Sequence, residues 1–138
     1  MNETVLKETI DKALARKITF SELVGIMTKE GVEAYHVDFL RNEFRYYARS
    51  GESVVLSVAL RHDGVAPEFS AEKLEAINRR VQAGEAGYAD FVREAAVVGC
   101  AYYIVYLCGK KVRYFGRDGD EYIQYFPGAR QDARTATN

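Results

Sequence analysis

The chain has 138 residues, 48% of them apolar and 28% charged, with only two prolines. That is enough for one ordinary domain with a hydrophobic core, and it excludes a disordered or fibrous chain. Nineteen basic against 20 acidic side chains leave a formal charge of −1, so no global field draws the protein to nucleic acid or a membrane.

The first segment, MNETVLKETIDKALARK, sets charges among its apolar residues from the outset, unlike a signal or transit peptide. No stretch reaches the roughly 18 apolar residues that span a bilayer, so the expected setting is cytoplasmic. Leu6, Ile10, Ala13 and Leu14 form an apolar stripe at helical spacing. A second helix is written into ITFSELVGIMTKEG. Thr19 is its N-cap, Glu22 completes a capping box, and Ile18 and Leu23 can staple its start. Gly31 suits a left-handed stop.

After Gly31 the period changes from about 3.6 to 2. The stretch EAYHVDFLRNEFRYYAR predicts a hairpin with a two-residue turn at Arg41-Asn42, and Tyr35, Val37, Phe39, Phe44 and Tyr46 share the face turned to the helices. With that turn, Asp38 lies opposite Arg45 and His36 opposite Tyr47. A third strand starts at Ser53. His62 follows in a turn-rich linker, where a solvated loop histidine is the expectation.

The rest repeats this unit. Shifting the chain by 68 lays Gly31 on Gly99, Tyr35 on Tyr103, Val37 on Val105, Arg45 on Arg113, Tyr46 on Tyr114 and Gly51 on Gly119 without a gap. Such a register signals two copies of one supersecondary unit. Ser70 caps a helix through Leu74, Ile77 and Val81. The next helix presents Tyr88, Phe91, Val92 and Ala95 and stops at Gly99. The stretch AYYIVYLCGKKVRYFGR is the second hairpin, turning at Gly109-Lys110, and a last strand starts at Glu121. The expected fold is α+β: two tandem helix-helix-three-strand repeats forming a two-layer domain with an antiparallel sheet. Residues 1–69 and 70–130 are the two pseudo-repeats of a single domain, and 131–138 a frayed tail.

The outward hairpin faces differ between the copies. The first displays a polar patch of His36, Asp38, Arg45, Tyr47 and Arg49. The second presents Ile104, Tyr106, Arg113 and Phe115, an apolar surface that is either covered by another segment of the chain or suited to a protein partner or a homodimer seam. The polar patch could supply an acid–base group or hold a small ligand, but cross-strand Asp–Arg and His–Tyr pairs are also ordinary sheet stabilisers, and no catalytic residue is assigned. CGKKVRYFGR interleaves basic and aromatic residues as single-strand binders do, yet the chain is not basic, and nucleic-acid binding ranks below protein contacts. No P-loop, dinucleotide fingerprint, H-E-x-x-H or paired C-x-x-C is present. No cofactor or metal is expected. Cys100 and Cys108 both lie in apolar stretches and are read as reduced core or sheet residues.

The Tyr-x-Val-Asp strand (Tyr35, Val37, Asp38), the Tyr46-Tyr47 pair followed by Gly51, Gln82 and Gly84 ahead of a Tyr-x-x-Phe helix (Tyr88, Phe91), and the closing Phe126-Pro127 carry a resemblance. Over roughly residues 17–127 the chain resembles the YdfO-like family, often labelled phage envelope protein-like. The second copy departs from the pattern, with Val105-Tyr106 where Val-Asp would stand. The resemblance implies a small bacterial or prophage-carried α+β protein with no established activity and no catalytic or ligand residues to carry over.

Overall fold

The structure, a computed structural model, describes residues 1–129; the expected frayed tail lies outside them. Helices α1 (Glu3–Leu14) and α2 (Phe20–Lys29) precede strands β1 (Val32–Asp38), β2 (Glu43–Ala48) and β3 (Ser53–Ser57). The order then recurs as α3 (Ala71–Gln82), α4 (Tyr88–Val97), β4 (Tyr102–Tyr106), β5 (Lys111–Phe115) and β6 (Glu121–Tyr125). The fold is α+β, and the helix-helix-strand repeat is visible in this order.

The helix signals act as their residues imply. Thr19 Oγ1 accepts from the Glu22 N–H at 3.1 Å while Glu22 accepts from the Thr19 N–H at 2.9 Å. Ser70 caps α3 by its hydroxyl alone, Oγ accepting from the Lys73 N–H at 3.2 Å. In α4 the cap position is Gly87, and Asp90 alone reaches back, accepting from the Gly87 N–H at 2.9 Å. Gly31 and Gly99 end α2 and α4 at φ of 82° and 91°. Gly99 has a second constraint: a Cβ there would lie 2.0 Å from the Glu68 carbonyl oxygen, because residues 66–70 run against the end of α4.

The six strands form one antiparallel sheet in the order β3-β2-β1-β4-β5-β6. The copies meet at its centre, where β1 pairs with β4 and His36 pairs with Ile104. Ile104 is also the residue that the shift of 68 lays on His36, so a pseudo-twofold axis passes through this pair. Left-handed backbone repeats with it: Arg16 and Gly84, Gly31 and Gly99, Asn42 and Lys110, and Gly51 and Gly119 are all at positive φ.

The hairpin register differs from the sequence expectation. Asp38 pairs with Glu43, His36 with Arg45, and Ala34 with Tyr47. Four residues, 39–42, therefore make the connection instead of two. The second hairpin does likewise, with Tyr106 pairing Lys111. The correction is a slip of two residues, so every side chain keeps its face. Tyr35, Val37, Phe39, Phe44 and Tyr46 are buried beneath the helices as expected, together with Tyr103, Val105, Val112 and Tyr114. Leu6 and Ile10 of α1, Met27 of α2, Leu74 and Ile77 of α3 and Phe91 and Val92 of α4 complete the core between the layers.

Candidate functional site

The two patches expected on the hairpins prove to be neighbouring parts of one surface, the sheet face turned away from the helices. In the polar part, the Tyr47 and His36 rings lie 5.0 Å apart. Arg45 reaches Asp38 and Glu43 only at 3.9 Å, pairs of little energetic weight at a partly exposed site. Asp38 is not displayed. It is 9% exposed, and its Oδ1 accepts from the Leu40 and Arg41 N–H groups at 2.9 and 3.1 Å, holding the four-residue turn. Arg49 stands apart from the cluster, paired with Glu33 at 2.9 Å. Burial, then the Arg45 charge, lowers the His36 pKa from its usual 6.5.

In the apolar part, Ile104, Tyr106 and Phe115 are half-buried and pair across the strands with Arg113, Lys111 and Tyr102. Phe115 contacts the Tyr102 ring at 5.9 Å and lies beneath the Arg113 guanidinium, itself held by Glu121 at 2.7 Å. The Nε atoms of the counterparts Arg45 and Arg113 are both buried without a hydrogen-bond partner. Neither part combines a nucleophile with a base. Among the described residues, no group of three His, Cys, Asp or Glu could hold a metal ion.

Two further expectations change. His62 is half-buried, not a solvated loop residue: its Nε2 lies 3.0 Å from the Phe39 carbonyl oxygen, and its Nδ1 accepts from the Gly64 N–H at 3.0 Å. It ties the linker to the first hairpin turn. Cys100 is buried, but Cys108 is exposed on the second hairpin turn, 3.8 Å from the Arg49 guanidinium.

The more capacious site lies on the other side of the sheet. Helices and sheet stand apart around a cavity of about 670 Å³. Its floor carries Tyr35, Tyr46, Tyr103 and Tyr114; α4 adds Tyr88. The floor follows the repeat, since Tyr103 and Tyr114 are the counterparts of Tyr35 and Tyr46, and both Tyr–Tyr ring pairs stand 5.5 Å apart. The Tyr88 and Tyr103 hydroxyls meet at 2.5 Å. Hydrocarbon completes the walls, with Ile10 and Ala13 on α1, Val24 and Met27 on α2, and Val81 on α3. At the rim Arg16 donates to the Gly84 carbonyl, and the Phe20 and Phe126 rings meet edge to face at 5.2 Å.

Burial pushes the pKa of Tyr35, Tyr46, Tyr88, Tyr103 and Tyr114 upward. They stay protonated across the physiological range, and the ionisable lining groups Arg16, Lys17 and Glu22 belong to the exposed rim. The interior wall is thus uncharged and aromatic, with the hydroxyl groups of buried tyrosines among its hydrocarbon. The sequence reading assigned these tyrosines to packing alone. A signal was available: tyrosine, not phenylalanine, recurs at core positions of both hairpins, placing several hydroxyls where hydrocarbon is usual.

Among the described residues, no helix is long and apolar enough to cross a membrane. No curated protein matches the chain. Over residues 53–124, just over half of its length and running from β3 through β6, the chain matches the family model described as "Protein of unknown function (DUF1398)", and it belongs to that family.

Proposed function

We propose that the protein binds a small, neutral, largely apolar molecule between its helical layer and its sheet. One observation carries this: the tyrosine-floored cavity, about 670 Å³ and within the usual ligand-site range of roughly 300–1,000 Å³. The space opens at a rim of exposed residues that includes Arg16, Lys17 and Glu22, so a guest can enter it from solvent. Neutral phenols without a buried cation disfavour an anion there. The YdfO-like resemblance sets such a binder in a bacterial or prophage context and adds no chemistry to it.

The test is titration with N-phenyl-1-naphthylamine, a neutral dye that brightens in apolar surroundings. A saturable rise with one dye per chain is expected. Ala13→Leu and Val81→Phe, which grow into the cavity, should weaken it at least fivefold while the protein still melts cooperatively. No saturable rise, or one indifferent to both substitutions, would overturn the reading.

A second reading rests on the outer face, where Ile104, Tyr106 and Phe115 are half-buried around Arg113, the cross-strand partner of Ile104, on the side of the sheet turned away from the described helices. Such a face fits a protein partner or a second copy of the chain. Light scattering across a concentration series checks the second copy: a dimer lost in Ile104→Asp supports it, and a monomer at all concentrations rejects it.

A further inference from the structure

Asn78 interrupts the apolar stripe of α3. It is 7% exposed, it lines the cavity, and its Nδ2 is buried without a hydrogen-bond partner. The shift of 68 lays it on Ile10, which lines the same cavity from α1. At this interior position the second copy therefore carries an amide where the first carries hydrocarbon. A buried amide donor left unpaired costs about 1–3 kcal/mol, and asparagine is a weaker helix former than alanine or leucine. Neither packing nor helix formation accounts for it.

The contrast with other buried polar groups on the wall is direct. The Thr9 hydroxyl returns to the Val5 carbonyl at 2.7 Å, and Tyr88 and Tyr103 satisfy one another. The Asn78 side chain is near enough to Tyr114 for a side-chain hydrogen-bond interaction that favours that phenol's ionised form, but the amide nitrogen has no partner at full hydrogen-bond geometry. An amide donor and a phenol donor thus stand side by side among the residues that line the cavity. A carbonyl oxygen, with two lone pairs, can accept from both. A carboxylate would add a charge with no buried cation to balance it.

We infer that Asn78, with Tyr114 beside it, is the specificity-determining donor of the cavity, and that the guest is a neutral, mostly apolar molecule bearing a carbonyl-type acceptor oxygen. This rests on the cavity-binding reading above and adds the chemistry of the guest.

Displacement of N-phenyl-1-naphthylamine by three probes tests it. Benzophenone carries the carbonyl, 1,1-diphenylethylene replaces the oxygen by a methylene group of similar shape, and 4-benzoylbenzoate adds a carboxylate. The wild-type protein should hold benzophenone about tenfold more tightly than 1,1-diphenylethylene, and 4-benzoylbenzoate more weakly than benzophenone. In Asn78→Ile, which restores the residue of the first copy, the preference for the ketone should shrink to within about twofold while 1,1-diphenylethylene binds as well or better. Asn78→Leu serves if the isoleucine variant does not fold, and the Asn78 side-chain amide resonances should shift on adding benzophenone to the wild type. Equal affinity for ketone and alkene, a preference that survives in the variant, or tighter binding of the carboxylate would overturn the inference and leave cavity binding standing. Failure of the dye and all three probes to bind would overturn both.

Discussion

His36 and Ile104 are paired across the two central strands and are also each other's counterparts in the duplication. The pseudo-twofold axis thus relates an imidazole to a hydrocarbon on the open face of the sheet. This asymmetry has a pH signature. Burial and the Arg45 charge lower the His36 pKa from 6.5 in the folded protein. As pH falls through the unfolded value, the unfolded chain takes up a proton that the folded protein resists. Stability present at neutral pH is therefore lost on acidification, until pH passes below the folded value. The urea midpoint should decline from pH 7.5 to pH 5. The decline should be smaller in His36→Ile, and an identical decline in the two proteins would reject the assignment.

The hairpin turns make a second, independent prediction. Lys110 and its counterpart Asn42 adopt φ of 55° and 52°. Left-handed backbone costs a residue with a Cβ roughly 1–2 kcal/mol, and asparagine tolerates it better than lysine. Part of the gain from glycine is offset by its greater freedom in the unfolded chain. Lys110→Gly should therefore raise stability by about 0.5–1 kcal/mol, whereas Asn42→Gly should change it by less than about 0.5 kcal/mol. Chemical denaturation of both variants measures the difference, and the reverse order would exclude the backbone explanation.

These turns also show what a sequence reading can reach. Thr19, Glu22, Gly31 and Gly99 act within a few residues of themselves, so their roles were legible. The alternation through Tyr35, Val37, Phe44 and Tyr46 identified the inner face, because a period of two determines parity. It does not determine turn length, since a slip of two residues leaves every face unchanged; that is why His36 faces Arg45 and not Tyr47. The cavity was harder still to foresee. Its size depends on how far the helices stand from the sheet, a relationship between distant parts of the chain. Its chemistry was nonetheless written in the repeat, as Tyr35/Tyr103, Tyr46/Tyr114 and the mismatch of Ile10 with Asn78.

The two thiols should behave as differently as their surroundings. Cys100 is fully buried beside the Tyr102 carbonyl, and burial pushes its thiol up to about 12. Cys108 is exposed on a hairpin turn beside the Arg49 guanidinium. Ellman's reagent should label one thiol per native chain quickly and the other only after denaturation. Cys108→Ser should abolish the fast phase. Fast labelling of both thiols in the native protein would contradict the burial of Cys100.

The phenols provide the alkaline counterpart of the histidine experiment. Tyr35, Tyr46, Tyr88, Tyr103 and Tyr114 all have raised folded pKa values through burial. Their contribution to stability is fully present below the unfolded value near 10 and is lost as pH rises beyond it, because the unfolded chain ionises first. Absorbance at 295 nm should therefore show part of the ten-tyrosine signal appearing only with the loss of folded circular dichroism. A complete titration while the protein remains folded would show that these hydroxyls are not shielded as described.

Asn78 provides the sharpest opposition between stability and function. If the amide were structural, replacing it should loosen α3. As an unpaired donor on a buried wall, it should instead hold stability down. Isoleucine removes the unpaired group and extends the apolar stripe from Leu74 and Ile77, as Ile10 extends that of α1. The gain from removing the donor is about 1–3 kcal/mol, reduced by whatever the β-branched side chain loses in fitting the wall. Asn78→Ile should thus be more stable than the wild type by about 1 kcal/mol, measured by urea denaturation without ligand. The reciprocal change, Ile10→Asn, should destabilise by at least that amount, because it buries a second amide without a partner. A destabilised Asn78→Ile that still folds would mean the amide has a structural partner. A stabilised one that loses the preference for a ketone would place Asn78 among residues retained at the expense of the fold.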